Sequence, residues 1–494
     1  MIINTQLSDC LDKSGNKTKE LILSYFNKSG EISYLKYVIP TDQLYNWYYA
    51  RPGDIPDPVY TSWDGKRVAK RASDGYLNDQ RVHQILEDLI KHNPNINVIH
   101  ELSIPFIHFC DIEVDVDDSG FPNPEDVNNK VNTISWVYKN SVIVFGRVEL
   151  SGEQINRIQS RIKEHCKTFK TEYLFTYLYY ETESAMLMDF MYNYVKHANC
   201  ISGWNFMGYD WRYLYNRCSK LGIDITSISP NGSWTKYSLV PMFKGSKRTK
   251  IDVPMHKLLF DYMEVYFKWD MSITPKEGFT LDIVAEAALG VKKVKHSLGF
   301  KDMWEQEPED YVFYNAIDSI LVREIDNKLK TANTFFSLAN LIHCDALLAF
   351  SPVQSLHVVQ GEYMYRENKV FPYAKNGEID DEGYEGAFVF EPITGVYKDV
   401  IALDFASLYP TTMRQFNISP DTFVKKDKQH KRKDNEIKCC NGSVYVKDFE
   451  GMLPKILTSF YNQRVQFKEE MKKATTELYA LKDILEKREN ELKK

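Results

Sequence analysis

Cysteine is scarce in this sequence, and the few cysteines are scattered. The chain has 8 cysteines in 494 residues and no Cys-x-x-Cys pair, the spacing that is typical of structural zinc sites and thiol redox motifs. The adjacent residues Cys439 and Cys440 are only a weak indication of metal binding. We therefore expect neither a disulfide framework nor a zinc centre.

Long apolar runs and several well-known catalytic strings are also missing. No apolar stretch reaches the roughly 18–20 residues that a membrane span requires, and the N-terminus lacks a charged-then-apolar secretory signal. We expect a cytoplasmic protein with no membrane partner. The absence of G-x-x-x-x-G-K-S/T, H-E-x-x-H and G-x-S-x-G strings argues against P-loop ATP hydrolysis, zinc-protease and serine-hydrolase chemistry.

An excess of positive charge is absent, since 68 acidic residues outnumber 62 lysines and arginines and give a net charge of −6. A nucleic-acid enzyme of this composition has to concentrate its basic residues locally. Two runs do so, one within 425–433 and one formed by Lys244, Lys247, Arg248 and Lys250. A solvated loop is the simpler interpretation of either run.

The remaining composition is that of ordinary globular material, with 43% hydrophobic and 26% charged residues. The length predicts two to four domains. Strand-like runs at 97–116 and 141–150 alternate with helical spacing of apolar residues at 183–195 and 209–221. This alternation predicts an α/β domain over roughly 105–330. From Pro454 to the C-terminus, the apolar spacing predicts one long helix.

Two acids stand close together in the strand-like string FCDIEVDV. Asp111 and Glu113 are two residues apart, so in a strand they share one face. Two carboxylates on one face are costly unless a cation or a proton lies between them, and Mg²⁺ is a natural oxygen-ligated partner. A surface strand that carries both acids in water is the open alternative. The nearby His108 is expected to be a packed or surface side chain and not a ligand.

Two further acids stand at helical positions. Asp210 opens the helical run that follows ISGWNFMGY, where an acid also serves as an N-cap or first-turn residue. Tyr314 and Asp318 are spaced to share one face of a helix. A tyrosine hydroxyl beside a metal-bound water would orient that water, although a lone Tyr-x-x-x-Asp is a common string.

Taken in chain order, these strings resemble the three exonuclease motifs of proofreading family B DNA polymerases. The second motif reads Asn205-x-x-x-Tyr209-Asp210. The resemblance implies a 3′→5′ exonuclease in which two divalent ions, Mg²⁺ or Mn²⁺, are held by Asp111, Glu113, Asp210 and Asp318. One ion would activate water and the other would steady the leaving 3′-oxygen. Tyr314 would help to position the water, and Asn205 would support the strand geometry or the substrate.

The string VIALDFASLYPTTM at 400–413 resembles motif A of the same family. Its apolar part predicts a strand that delivers Asp404 at its end. The resemblance implies that Asp404 binds the catalytic metals of nucleotidyl transfer. Backbone N–H groups around Ser407, Leu408 and Tyr409 would face the triphosphate. Tyr409 would stack under the incoming sugar and exclude a 2′-hydroxyl.

Other segments resemble the family less specifically. Arg464 and Lys468 are one helical turn apart and resemble the cations of the fingers domain that meet the triphosphate, although two solvated cations are the simpler interpretation. Tyr384-Glu385-Gly386-Ala387 resembles a segment that joins the exonuclease and polymerase sites, where Gly386 permits close approach of a DNA strand. The resemblance places the predicted DNA contacts at Asn205, Tyr384, Gly386, Lys247 and Arg248, the last two in a hairpin that separates primer from template.

The segments at 351–372 and 386–411 resemble the DNA polymerases of T4-like bacteriophages. The implied fold is mixed α/β and multidomain, with an RNase H-like exonuclease. The implied domains are an N-terminal domain (1–104 with 331–373), the exonuclease (105–330), the start of the palm (374–455) and the first fingers helix (456–494). The implied location is the cytoplasm of the host bacterium.

The sequence departs from the family after its last helix. No K-x-x-x-N-S-x-Y-G or D-T-D-S string follows Asp404. We expect that the polypeptide does not polymerise by itself and that a second polypeptide supplies the remaining palm, fingers and thumb. A truncated remnant or an artificially shortened chain is the competing explanation. The expected partner is DNA, as a single-stranded 3′ end and as primer-template. The alternative functions are a free-standing 3′→5′ exonuclease with an idle palm remnant and a non-catalytic DNA-binding scaffold.

Overall fold

A computed structural model describes residues 1–73, 76–92, 103–116, 120, 122–169, 171–239, 249–269, 278–291, 298–343, 345–373 and 390–492. The chain divides into two compact units, each described by itself. The first unit combines Met1–Thr41 with Ile90–Ser355, and the second combines Asp42–Leu89 with Leu356–Lys494. The domain boundaries inferred from the sequence stay predictions.

The strands of the described part of the chain are numbered in chain order. They are β1 (Ile2–Leu11), β2 (Lys17–Phe26), β3 (Ile32–Ile39), β4 (Tyr45–Tyr49), β5 (Thr61–Ser62), β6 (Val68–Ala72), β7 (His108–Val114), β8 (Val131–Tyr138), β9 (Ser141–Gly146), β10 (Leu174–Tyr179), β11 (Cys200–Ser202), β12 (Trp234–Ser238), β13 (Lys250–Pro254), β14 (Leu258–Leu259), β15 (Lys369–Val370), β16 (Phe423–Lys426), β17 (Glu436–Lys438) and β18 (Ser443–Val446).

The α-helices of the same part are also numbered in chain order. They are α1 (Asp79–His92), α2 (Gly152–His165), α3 (Glu183–Asp189), α4 (Asp210–Lys220), α5 (Tyr262–Trp269), α6 (Leu281–Leu289), α7 (Phe300–Gln306), α8 (Pro308–Leu329), α9 (Thr331–Leu341), α10 (Pro352–Arg366), α11 (Leu408–Gln415) and α12 (Met452–Leu492). A π-helical segment, Phe190–Val195, continues α3. The predicted helices at 183–195, at 209–221 and from Pro454 onward are therefore confirmed, with α3 ending in π-helical turns.

The first unit contains two sheets. β1, β2 and β3 form an antiparallel meander. A six-stranded mixed sheet has the order β10-β9-β8-β7-β11-β14, in which β7, β8 and β9 are antiparallel and the outer neighbours are parallel. The long helix α8 packs against β7, β8 and β9. Strand β7 therefore lies inside the sheet with a helix over it, and the mixed α/β prediction is confirmed.

The alternation of side chains along β7 explains how this strand is buried. Cys110, Ile112 and Val114 belong to a large core cluster that also contains Trp136 and Trp211. Because successive strand residues point to opposite faces, Asp111 and Glu113 lie on the other face. Helix α8 covers that face with residues that are buried without interruption from 311 to 322.

The second unit contains three small sheets and the longest helix of the described residues. β4 pairs with β6, β5 pairs with β15, and β16, β18 and β17 form an antiparallel sheet. Met364, Met452 and Ile456 form a small core that joins α10 to the start of α12. Beyond that core, α12 continues to Leu492, and its side chains are exposed from 462 to 488. No helix among the described residues is both long and apolar enough to cross a membrane.

One prediction for the second unit was wrong. Residues 400–405 form no strand, and Pro410 lies inside α11 instead of ending a strand. The physical reason is that no described strand pairs with this segment, so its apolar side chains stay in solvent. Ile401 is 84% exposed and Leu403 is 93% exposed. The apolar sequence pattern favours a strand here, but a strand also requires an adjacent strand as its hydrogen-bonding partner.

Candidate active site

Three of the predicted carboxylates converge between strand β7 and helix α8. Asp111 and Glu113 are half-buried on the covered face of β7, and Asp318 is buried on α8. One ligand oxygen from each of the three carboxylates lies within 4.8 Å of the other two. Carboxylates this close repel one another unless a cation or protons lie among them. The buried helix over the strand argues against the alternative of a solvated surface strand.

Asp210, which belongs to the second motif, contacts the same strand. Its buried side chain accepts a hydrogen bond at Oδ1 from the backbone N–H of Ile112, at 2.9 Å. Burial first, and the charge of Asp111 second, hold the pKa of Asp210 well above its ordinary range. Among the described residues, Asp210 is not in the group whose oxygens all lie within 4.8 Å. It is therefore adjacent to that group and electrostatically coupled to it through Asp111.

The loop between β11 and α4 brings Asp210 to its position. β11 pairs with β7 only as far as Ser202 and Phe109. Gly203 follows, and a Cβ at this position would lie 2.2 Å from the carbonyl oxygen of Cys110. A residue with a side chain fits there only if the backbone shifts. The chain consequently leaves the sheet at Gly203, and the N–H of Ile112 bonds to the Asp210 carboxylate.

Asp261, which the sequence did not single out, holds this loop. Its carboxylate accepts backbone N–H groups from Asn205 and Met207 at 3.1 Å each and from Met263 at 2.9 Å. Asn205 has a left-handed φ of 59° and an exposed side chain. Burial raises the pKa of Asp261 to about 7. The arrangement presents the Asn205 side chain to solvent and fixes the backbone that leads to Asp210.

Helix α8 carries the third motif. Tyr314 is one turn before Asp318, as the spacing predicted. Its ring packs edge-on against Phe300 with ring centroids 5.5 Å apart, in a cluster with Met303 and Tyr311. This packing holds the Tyr314 ring in place one helical turn before Asp318. The proposed alignment of a water molecule by its hydroxyl stays a prediction.

Asn315 was also missed by the sequence reasoning. Its Nδ2 donates to Oδ2 of Asp111 at 2.7 Å and to the backbone carbonyl of Asp111 at 3.4 Å. The available signal was its position three residues before Asp318, which places both side chains on one helix face. A polar residue on that face of a buried helix has to meet a polar partner.

The polymerase-like residues lie in the second unit. Asp404, Leu408 and Tyr409 are exposed, and Ser407 is a left-handed residue directly before α11. Nη1 of Arg464 donates to Oγ of Ser407 at 3.4 Å. Two residues predicted to bind a nucleotide are thus neighbours across α11 and α12. Lys468 is exposed one turn further along α12.

Four predicted DNA contacts lie outside the described residues. They are Tyr384, Gly386, Lys247 and Arg248. From the same basic run, Lys250 is described and begins β13. The predicted roles of these residues stay predictions.

Among the described residues, the candidate metal ligands near β7 are carboxylate oxygens. Hard divalent cations such as Mg²⁺ and Mn²⁺ prefer such oxygens, whereas zinc and copper favour nitrogen and sulfur. Burial and the charge of Asp111 both oppose ionisation of Asp210, and a bound cation would offset that cost. The carboxylates of Asp111, Glu113 and Asp318 therefore fit a divalent metal centre, and Asp210 lies adjacent to them.

Comparison with known proteins adds an independent finding. Residues 76–266 match the model of the DNA polymerase family B exonuclease domain, and residues 360–494 match that of DNA polymerase family B. The DNA-directed DNA polymerase of Escherichia phage RB69 is 28% identical over 382 residues, which cover 72% of this chain and 41% of the relative.

Two further relatives show the same partial coverage. The DNA-directed DNA polymerase of Enterobacteria phage T4 is 28% identical over 63% of this chain and 35% of the relative. A DNA polymerase of Archaeoglobus fulgidus is 29% identical over 58% of this chain and 34% of the relative. The chain thus spans well under half the length of each of these relatives. The exonuclease and polymerase matches lie in the expected order, and the chain belongs to DNA polymerase family B.

Proposed function

We propose that the first unit is a metal-dependent 3′→5′ exonuclease that acts on the single-stranded 3′ end of DNA. The observation that supports this most strongly is the convergence of Asp111, Glu113 and Asp318, with Asp210 bonded to the intervening residue Ile112. The names of the phage relatives support DNA as the substrate class. A role in DNA replication within the host cytoplasm belongs to the same proposal.

The proposed chemistry assigns one task to each group of residues. Asp111, Glu113, Asp210 and Asp318 would hold two Mg²⁺ or Mn²⁺ ions. When bound, these ions would supply an activated water and stabilise charge on the leaving 3′-oxygen. The Tyr314 hydroxyl would hold the attacking water by a hydrogen bond. The exposed Asn205 side chain would contact the DNA strand, and Asp261 would keep the Asn205 loop in place.

A labelled single-stranded oligonucleotide tests the exonuclease. The chain with Mg²⁺ is expected to shorten a 5′-labelled strand from its 3′ end, and the double variant Asp111→Ala/Glu113→Ala is expected to leave it intact. A matched control is Glu172→Ala/Asp224→Ala, which removes two exposed acids of the same unit. The control should cleave like the wild type.

Each outcome of this assay has a distinct meaning. Cleavage by the wild type and the control alone supports the proposed site. Cleavage that persists in Asp111→Ala/Glu113→Ala points to a contaminating nuclease. No cleavage by a folded wild-type chain with Mg²⁺ or Mn²⁺ contradicts an autonomous exonuclease and favours the alternative of a DNA-binding scaffold.

We also propose that the second unit contributes half of a nucleotidyl-transfer site. Asp404 would bind the catalytic metals, and Arg464 and Lys468 would meet the triphosphate. The N-terminus of α11 supports this assignment, because free backbone N–H groups at a helix start attract phosphate. The hydrogen bond between Arg464 and Ser407 supports it further, since it places a guanidinium beside that helix start. The Tyr409 ring would face the sugar.

Exposed apolar surface in the second unit supports the idea that further polypeptide completes this site. Phe405 is 75% exposed and Leu403 is 93% exposed. Along α12, a set of exposed apolar side chains recurs at steps of three, four or seven residues, typical of a helix that packs against another helix: Phe460, Phe467, Met471, Leu478, Leu481 and Leu485. A surface of this kind marks a protein interaction site.

We propose that this further polypeptide supplies the remaining palm, fingers and thumb, whether encoded separately or as a continuation of the chain. The predicted contacts of Tyr384, Gly386, Lys247 and Arg248 with DNA belong to the same proposal. The test is primer extension on a primer-template with dNTPs, with and without a polypeptide that carries the missing family motifs. Extension that requires both parts and is lost in Asp404→Asn supports a complemented polymerase. No extension by the mixture favours the free-standing exonuclease.

A further inference from the structure

Asn315 occupies an unusual position for a polar residue. It lies within α8 with no exposed surface, between Tyr314 and the turn that carries Asp318. Its side chain crosses from the helix to strand β7, where Nδ2 lies 2.7 Å from Oδ2 and 3.4 Å from the backbone oxygen of Asp111. Both Asp111 atoms are hydrogen-bond acceptors, so the NH₂ end of the Asn315 amide must face them. Only the NH₂ group donates to two acceptors.

The other end of the same amide makes no compensating contact. Oδ1 of Asn315 is buried and has no hydrogen-bond partner within the described part of the chain. Leaving a buried acceptor unsatisfied lowers the stability of the folded state. A leucine, which has the same number and branching of side-chain heavy atoms, would avoid that cost in a fully buried helix. The stability of the fold alone does not account for an asparagine here, so its benefit lies in the NH₂ group that faces Asp111.

An amide donor suits a carboxylate that binds a cation. A hydrogen bond to Oδ2 restricts rotation of the Asp111 carboxylate, which Glu113 and Asp318 nearby repel. A lysine or arginine would also donate, but its positive charge would compete with the cation. Asparagine donates without adding charge, as the outer partners of metal ligands commonly do.

We propose that Asn315 is a positioning residue, which orients Asp111 for divalent-cation binding through its Nδ2 hydrogen bonds. This inference rests on the proposed exonuclease site. Asn315 acts through Asp111 and would not itself touch metal or DNA. Its loss is therefore expected to weaken metal binding and to leave the rate at saturating metal largely intact.

The test uses the full chain and two variants that lack the donor. Asn315→Leu keeps the branched shape of the side chain but is larger, and Asn315→Ala removes bulk in case the leucine variant fails to fold. Mn²⁺ binding is measured without DNA, by the loss of the free Mn²⁺ signal in electron paramagnetic resonance. Both variants are expected to raise the Mn²⁺ dissociation constant about 10–100-fold, as losing an outer partner of a ligand does.

The metal dependence of cleavage separates positioning from a merely structural role. The metal concentration for half-maximal cleavage should rise with the dissociation constant, while the rate at saturating Mg²⁺ stays within a few-fold of the wild type. Ser319→Ala is the matched control, because it removes another buried polar group of α8, one that bonds to Ser135 at 2.6 Å. The control is expected to leave Mn²⁺ affinity unchanged.

The possible results separate this proposal from the function on which it rests. Wild-type Mn²⁺ affinity in a folded Asn315 variant overturns the positioning role. A fall in affinity equal to that of Ser319→Ala also overturns it, since general destabilisation then explains the effect. If the wild type binds Mn²⁺ but does not cleave DNA, the exonuclease proposal fails and the binding comparison still decides the role of Asn315.

Discussion

The carboxylate of Asp210 accepts the backbone N–H of Ile112 at 2.9 Å, and Ile112 lies between Asp111 and Glu113 on β7. One hydrogen bond thus joins the helix that carries the second motif to the strand that carries the first. A carboxylate has a second oxygen, so this bond is compatible with cation binding. The geometry of the site therefore depends on the position of α4 relative to β7.

The Asp210–Ile112 bond yields a prediction for Asp210→Asn. Asparagine keeps an acceptor oxygen for Ile112, so the fold is expected to survive. The substitution removes a charge that burial and Asp111 both oppose. We expect a higher melting temperature without metal and exonuclease activity that falls at least ~100-fold, because losing a ligand should cost more than losing an outer partner. Thermal unfolding in a chelator and the oligonucleotide assay measure the two effects, and a lower metal-free melting temperature would contradict the argument.

A second prediction concerns the close contact at Gly203. In Gly203→Ala, the new Cβ would lie 2.2 Å from the backbone oxygen of Cys110, the residue before Asp111. Backbone cannot move aside as a flexible side chain can, so the strand or the loop has to shift. We expect a loss of roughly 1–3 kcal/mol of stability, typical of overpacking, and a large loss of exonuclease activity.

Gly152→Ala is the matched control for Gly203→Ala. Gly152 begins α2, and no heavy atom lies within 4 Å of a Cβ built on it. Alanine is the better helix former by about 0.5–1 kcal/mol, so this variant should be neutral or slightly more stable. Chemical denaturation of both variants gives the comparison. Equal stability of Gly203→Ala and the wild type would show that the loop yields without cost.

Much of the candidate site was predictable from the sequence because its signals are local. Two acids at strand spacing put Asp111 and Glu113 on one face. A tyrosine and an aspartate at helical spacing put Tyr314 and Asp318 on one helix. The helical spacing of apolar residues along the long C-terminal segment predicted α12. In each case, the periodicity of the backbone fixes which side chains are neighbours.

Contacts between distant segments were not predictable in the same way. Asp261 holds the Asn205 loop from 56 residues away in the chain, and Asn315 reaches Asp111 from 204 residues away. Local sequence spacing does not predict partners that are so far apart in the chain. The strand predicted before Asp404 does not form for a related reason. A strand depends on hydrogen bonds to an adjacent strand as well as on its own residues.

A third prediction concerns the buried ion pair that anchors α4. Glu183 and Arg217 are each 7% exposed at the side chain, with Nη2 of Arg217 2.6 Å from Oε2 of Glu183. Glu183 also accepts the N–H of Val131 at the start of β8. Glu183→Ala would leave a buried, unpaired guanidinium, so we expect a loss of about 3–5 kcal/mol. The free energy of unfolding by urea measures this loss.

An exposed ion pair provides the control for Glu183→Ala. Arg157 is 57% exposed and lies 2.8 Å from Glu309. Pairs of this kind contribute about 0–1 kcal/mol because solvent screens them. Arg157→Ala should therefore change stability far less than Glu183→Ala. Similar losses in the two variants would show that burial of the Glu183–Arg217 pair adds nothing to its importance.

The fourth prediction concerns the pH dependence of stability at His108. Its ring stacks on Tyr138 with centroids 4.1 Å apart and also packs against Trp136. This packing matches the expectation of a packed histidine. Burial first, and the charge of Lys257 second, lower the pKa of His108 to about 3. Nδ1 is buried without a hydrogen-bond partner among the described residues, so the folded state holds a neutral ring.

The sign of the effect follows from the lowered pKa of His108. The unfolded chain takes up a proton near pH 6.5 and the folded chain only near pH 3, so the stability from the neutral ring is complete above pH 6.5. It is lost as the pH falls toward 3, by up to about 1.4 kcal/mol per pH unit. His108→Phe keeps an aromatic ring without this proton, and its stability relative to the wild type should rise steadily as the pH drops from about 6.5 to 4. Melting temperatures of both proteins across that range test the prediction, and a constant difference between them would mean that His108 is protonated equally in the folded and unfolded states.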